Sequence, residues 1–115
     1  LDLDHFKAFN DRHGHQAGDR LLATCARTWR SALPAGAFMA RYGGEEFAVL
    51  LPGIGADAAR ETLERLRSVM PADRTVSIGY AVRDQGESGR SALRRADAAL
   101  YDAKAAGRNQ VVVAW

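Results

Sequence analysis

Phe38-Met39-Ala40-Arg41-Tyr42-Gly43-Gly44-Glu45-Glu46-Phe47-Ala48-Val49-Leu50-Leu51 is the stretch on which the fold turns. Phe38 to Tyr42 and Phe47 to Leu51 are two short β-prone runs, and the Gly43-Gly44-Glu45-Glu46 between them predicts an antiparallel hairpin with a glycine turn. The glycines have a sufficient structural reason in the positive φ angles of such a turn. Adjacent carboxylates at its tip have none, and are either solubilising charges or part of a site that the glycines let a ligand approach.

Upstream of the hairpin, Leu22, Cys25, Ala26, Trp29 and Leu33 recur at spacings of three and four from Asp19 to Leu33, and Pro34 stops them. This spacing predicts an amphipathic helix. Residues 1 to 6 alternate apolar and polar, which predicts the end of a strand. Downstream, Ala59, Leu63, Leu66 and Met70 share a helical face between Asp57 and Met70, closed by Pro71. Thr75 to Val82 alternates as a strand with one buried face. Ser91 to Ala106 reads as an Ala-rich helix with Ser91 as N-cap and Gly107 as its stop, and Gln110 to Trp115 as a last strand. The order β-α-β-β-α-β-α-β predicts an α+β fold, a central, mostly antiparallel sheet flanked by helices.

Composition bounds the rest. The chain has 115 residues, 47% of them hydrophobic and 26% charged, which is one domain over residues 1–115. The longest apolar runs, Phe47 to Leu51 and Val111 to Trp115, are five residues each, far below the roughly 20 that cross a bilayer. Sixteen Lys and Arg against 14 Asp and Glu leave a net charge of +2, with no run of three cations, so nucleic acid is not an expected partner. A single cysteine, Cys25, on an apolar helical face, allows no intramolecular disulfide and fits a reducing compartment. The start Leu1-Asp2-Leu3-Asp4 carries neither initiator Met nor signal pattern and reads as a piece of something longer.

Three constellations carry candidate chemistry. In the first, Asp2-Leu3-Asp4 is followed by Lys7, Asn10, His15 and Asp19. Strand alternation points Asp2 and Asp4 to one side, where two carboxylates repel unless a cation lies between them, and hard oxygen ligands suit Mg²⁺. A solvated strand end is the other reading. In the second, a carboxylate of the Gly43-Gly44-Glu45-Glu46 turn completes a metal site begun by Asp2. In the third, Lys104-Ala105-Ala106-Gly107-Arg108-Asn109 places two cations where they complement a helix dipole or, being four residues apart, reach one phosphate group. Spacing does not decide between these.

Taken together, Leu1 to Asp11, Gly14 to Asp19, the run Arg41 to Phe47, Thr75 to Gly79 and Ala96 to Asn109 resemble the GGDEF-domain diguanylate cyclases, with GGEEF as the variant signature. The resemblance covers nearly the whole chain. It implies a fold related to the adenylyl cyclase catalytic domain and the polymerase palm, and condensation of two GTP into cyclic di-GMP with release of two pyrophosphates. Carried over residue by residue, it implies that Asp2 and Glu45 hold Mg²⁺, with Mn²⁺ as a substitute, and that the Leu3 carbonyl is a further ligand. It implies that Asn10 and Asp19 bind the guanine edge, that His15 supports that pocket, and that Gly43 and Gly44 admit substrate. Lys7, Lys104 and Arg108 would contact phosphates, and Glu45 or Glu46 would help remove the 3′-hydroxyl proton.

The same resemblance implies that catalysis needs a second GGDEF domain, each holding one GTP. It also implies a sensory or regulatory domain upstream, and a cytoplasmic location within a larger bacterial signalling protein. No membrane contact is expected of this domain itself. Two departures stand out. The R-x-x-D product-inhibition site is replaced by Pro34-Ala35-Gly36-Ala37, so neither the guanidinium nor the carboxylate that would grip product is present. The family's leading helix and the start of its first strand are missing from this stretch. The alternative reading is a GGDEF-like domain that binds GTP or cyclic di-GMP as a sensor without catalysis; an RNA-binding α+β domain is disfavoured because the strands present aliphatic rather than aromatic faces.

Overall fold

The computed structural model describes residues 1–71 and 73–114. In chain order the elements are β1 (Asp2–Leu3), α1 (Phe6–His13), α2 (His15–Ala32), β2 (Phe38–Gly43), β3 (Glu46–Leu50), α3 (Ala56–Ser68), β4 (Val76–Tyr80), α4 (Gly89–Ala105) and β5 (Val111–Val113). The strands form one five-stranded sheet in the order β2-β3-β1-β4-β5. Its pairings are antiparallel except β4 with β5, which are parallel and joined by α4 as the crossover helix.

Strand alternation sorts the two faces. Leu1, Leu3, Phe47, Val76, Ile78 and Val111 enter one core with Leu21, Leu22, Cys25 and Trp29 of α2 and Leu63 and Leu66 of α3. Trp29 is completely buried, meets Phe47 edge-on at 5.1 Å and donates its indole N–H to the Leu66 carbonyl at 3.2 Å. That satisfies the one polar atom such a ring brings inside. Cys25 is buried beside it, and burial pushes its thiol up to about 11, which keeps it an unreactive core residue. The opposite face carries Asp2, Ser77 and Gly79 under α4.

Several boundaries differ from those the sequence predicts. The opening strand ends at Leu3, and an additional helix, α1, begins at Phe6, because His5 adopts φ 58° and turns the chain. An eight-residue helix with only Phe6, Ala8 and Phe9 as apolar positions shows too little periodicity to be read. The next helix starts at His15, four residues before Asp19, as Gly14 at φ 91° separates α1 from α2. β4 stops at Tyr80: the alternation continues to Val82, but the Val82 carbonyl accepts from Arg95 instead of a strand. The N-cap of α4 is Ser88, whose hydroxyl accepts the Ser91 N–H at 3.1 Å, so Ser91 lies inside the first turn. The last strand is Val111–Val113, and Trp115 lies outside the described residues.

Glu87 fastens the segment before α4. Its carboxylate accepts from Arg95 at 2.7 and 2.9 Å, from the Ser91 hydroxyl at 2.8 Å and from the Asp84 N–H at 3.0 Å. The Arg95 guanidinium foremost, with the Asp84 N–H and the Ser91 hydroxyl, pulls its pKa from 4.5 down to about 2. A carboxylate whose pKa is depressed by folding adds stability above its unfolded pKa and loses it as pH falls through the folded one. Glu87→Gln is therefore expected to lower the melting temperature above pH 4.5, with the difference from wild type closing as pH falls toward 2. A difference that persists unchanged at pH 2 would show that the charge is not what matters.

Gly79 has a different task. A Cβ there would run into the Leu100 N–H and the Ala96 carbonyl, both backbone atoms of α4 that cannot rotate away. Gly79→Ala is expected to destabilise the fold by about 1–3 kcal/mol or more, read as a drop in the urea midpoint. An unchanged midpoint would mean that α4 can lift off β4 at no cost.

Candidate active site

The site assembles on the α4 side of the sheet, where β1, the hairpin and the last turn of α4 meet. Asp2 lies between two core-facing leucines and so points away from the core, and it is only 5% exposed. Its register partner across β1 and β3 is Glu46. Asp2 Oδ2 is ion-paired to Lys104 Nζ at 2.9 Å, and Asp2 Oδ1 is buried with no hydrogen-bond partner. Burial, and then the neighbouring Asp2 carboxylate, push Glu46 above the usual carboxylate range; Asp97 of α4 adds to the effect.

This donor set fits a divalent cation. Two carboxylates share one side of the sheet, one buried oxygen is left unsatisfied, and the pair carries more negative charge than one ammonium neutralises. Mg²⁺ binds in such places through one or two carboxylates and completes its shell with water and substrate phosphates. Among the described residues no cluster of three or more His, Cys, Asp or Glu offers a closed cage.

The carboxylate that faces Asp2 is Glu46 rather than Glu45, the partner expected from the motif. Strand alternation and the β1–β3 register are the reason: Phe47 enters the core, so Glu46 beside it points to the other face opposite Asp2, while a bulge in β2 between Arg41 and Gly43 leaves Gly44 and Glu45 as the turn. Arg41 Nε donates to the Gly44 carbonyl at 2.7 Å and holds that turn, in which Gly44 adopts φ 51°. Glu45 is half-buried, with its own carbonyl 3.5 Å from the Leu3 N–H. Nothing within 4 Å would meet a side chain at Gly43 or Gly44, so the space over the turn is open to a ligand.

Asp4 does not join Asp2. Its carboxylate accepts from the Ser77 hydroxyl at 2.6 Å, the Thr75 hydroxyl at 2.7 Å and the Asn109 N–H at 3.0 Å. This buried acceptor locks the end of β1 to β4 and to the turn after α4, a role that the D-x-D spacing gave no sign of. The turn itself is a Schellman cap: Gly107 at φ 118° donates to the Lys104 carbonyl, and Arg108 N–H to the Ala103 carbonyl at 2.9 Å. It leaves Arg108 exposed just past the end of α4, four residues from Lys104.

The remaining candidates lie on α1 and α2. Asn10 Oδ1 is buried without a partner and stands over Gly18, where a Cβ would collide with it. His15 and Asp19 are exposed, one turn apart on α2. Asp19 borders an open groove of about 360 Å³ lined by Leu22, Ala26, Arg30, Met39 and Arg41. Lys7 is exposed and ion-paired with Asp11 at 3.1 Å. The structure thus sets Lys104 on Asp2 with Glu46 opposite it, and places Lys7 and Asn10 on α1 and His15 and Asp19 on α2.

Both the sequence and the fold have known relatives. Residues 1–110 match the family described as "Diguanylate cyclase, GGDEF domain". Diguanylate cyclase DgcP of Pseudomonas aeruginosa is 44% identical over 124 residues, which is 99% of this chain but 18% of that protein's length. The GGDEF domain of DgcB from Caulobacter crescentus, solved in complex with c-di-GMP, has a TM-score of 0.90 at 43% identity, covering 97% of this chain and 73% of that one. The active GGEEF domain of a diguanylate cyclase from Vibrio cholerae has a TM-score of 0.92 at 29% identity, covering 99% and 79%. With a family match over nearly its whole length, a shared fold and the GGEEF signature in its hairpin turn, the chain belongs to the GGDEF-domain family of diguanylate cyclases.

Proposed function

We propose that this domain condenses two GTP into cyclic di-GMP with release of two pyrophosphates, in the cytoplasm, as part of a larger signalling protein. The observation that carries the reading is the buried Asp2 carboxylate, with one free oxygen, set beside Glu46 and Lys104. Asp2 and Glu46 would hold Mg²⁺ or Mn²⁺, with the Leu3 carbonyl as a further ligand; when bound, such a cation screens phosphate charge and lowers the pKa of the attacking 3′-hydroxyl. Glu46 is better placed for this than Glu45 because it pairs with Asp2 across the ladder.

Glu45, in the open turn, is then the residue free to accept the 3′-hydroxyl proton. Lys104 and Arg108 offset charge on the triphosphate and on the departing pyrophosphate, and Lys7 does the same from α1. Asn10 brings its unsatisfied oxygen to the guanine edge, and Asp19 accepts from the N1 and N2 donors that adenine lacks, with His15 supporting the pocket. Gly43 and Gly44 let the turn approach the nucleotide. Since the product has two identical halves, two such domains must face each other, each presenting one GTP in line with the other's hydroxyl. The Pro34-Ala35-Gly36-Ala37 segment leaves no charged grip for product, so feedback through that site is absent.

The test is incubation of the intact protein with GTP and Mg²⁺ and chromatographic detection of cyclic di-GMP. Glu45→Gln and Glu46→Gln are each expected to cut turnover by about 10²-fold or more. Only Glu46→Gln should also lose Mn²⁺ binding. Saturable GTP binding without any product would overturn the cyclase reading in favour of a nucleotide sensor. Asp19→Ser removes a matched hydrogen-bond acceptor of a kind worth about 1–3 kcal/mol, so preference for GTP over ATP should fall roughly tenfold or more. Undiminished preference would remove Asp19 from the guanine site.

A further inference from the structure

Lys104 is the one side-chain cation among the described residues within ion-pair distance of Asp2. Its ammonium lies 2.9 Å from Asp2 Oδ2, while Asp2 Oδ1 has no partner and Glu46 and Asp97 add negative charge nearby. We propose that Lys104 is a resident counter-ion of the Asp2–Glu46 pair that a divalent cation must displace, and that its transfer to the triphosphate couples cation binding to nucleotide binding. This rests on the reading of Asp2 and Glu46 as the cation-holding pair.

The argument is electrostatic and steric. An ammonium and a divalent cation on one small carboxylate repel each other, and Asp2 is too enclosed for water to screen them. Lys104 can leave cheaply: its side chain is 30% exposed, and a lysine stem is a flexible tether for a point charge. Its backbone need not move, because the Lys104 carbonyl is fixed by the Gly107 N–H of the Schellman cap. Arg108, one turn on, marks where the displaced ammonium finds phosphate oxygens. Without nucleotide, a cation must evict Lys104 into water. With a triphosphate bound, the ammonium has a polyanion to neutralise and the carboxylates are vacated. By linkage the cation then favours nucleotide binding by the same factor.

The counter-ion role makes an unusual demand: removing a positive residue from the machinery should strengthen cation binding in the absence of nucleotide. Mn²⁺ serves as the probe, followed through the EPR signal of the free ion in the intact protein without GTP. Lys104→Met is expected to bind Mn²⁺ about tenfold tighter than wild type, within the 5- to 150-fold range usual for coupled sites. Lys104→Arg, which keeps the charge, should show no such gain. Lys104→Gln, which keeps a hydrogen-bond donor for Asp2, should tighten binding as the methionine variant does and supplies the reading if that variant unfolds. Unchanged or weaker Mn²⁺ binding in the neutral variants, with Asp2→Asn abolishing it, would overturn the counter-ion role alone. Undiminished Mn²⁺ binding by Asp2→Asn would overturn the cation site itself.

Discussion

Everything in this domain leans on a strand of two residues. β1 lies at the centre of the sheet, between β3 and β4, and consists of Asp2 and Leu3. Because successive side chains point to opposite faces, Leu1 and Leu3 enter the core against α2 and α3 while Asp2 goes to the other side, under α4. One alternation thus serves stability and chemistry together: the leucines hold the position of the aspartate, and the core they join cannot slip by a residue without exchanging the two roles.

So short a strand needs help to stay in register, and Asp4 supplies it. Its carboxylate collects the Ser77 hydroxyl of β4, the Thr75 hydroxyl just before it and the Asn109 N–H from the turn beyond α4. The same contact therefore fixes the end of β1, the neighbouring strand and the chain segment that follows Lys104. A buried carboxylate with several donors is costly to disrupt, since removing it strands each donor away from water. Asp2 and Asp4, two residues apart, are both buried and both acidic, yet one is fully partnered and the other keeps an oxygen free. That difference separates a residue that ties the strands together from one with an acceptor left over.

The hairpin shows the same division. Trp29 against Phe47 and the Arg41 hold on the Gly44 carbonyl fix where the turn stands relative to α2 and β1. The alternation of β3 then decides which acid faces Asp2. Glu46 comes to lie against Asp2, where burial and a like charge raise its pKa, and Glu45 stays in the turn. Keeping two such carboxylates together without a full complement of counter-charge is unfavourable for the fold on its own, and it is the arrangement expected where charge is to be received from a ligand.

Sequence alone determined the element types, the α+β class and the family. Each long helix carries its period in Leu22, Cys25 and Trp29 or in Leu63 and Leu66, and the glycine-acid turn between two β-prone runs has few other readings. It also named the candidate residues for the site, because metal, guanine and phosphate chemistry call for particular side chains in a particular order. Sequence did not carry α1, whose eight residues are too few and too polar to show a period, nor the parallel pairing of β4 with β5, which depends on where α4 returns the chain. Above all it could not say which acid faces Asp2, or that Lys104 rests on Asp2 while Asp4 is tied to Ser77 and Asn109. Local pattern sets which face a residue points to. Partnership across strands far apart in the chain depends on register, and that exists only once the sheet has closed.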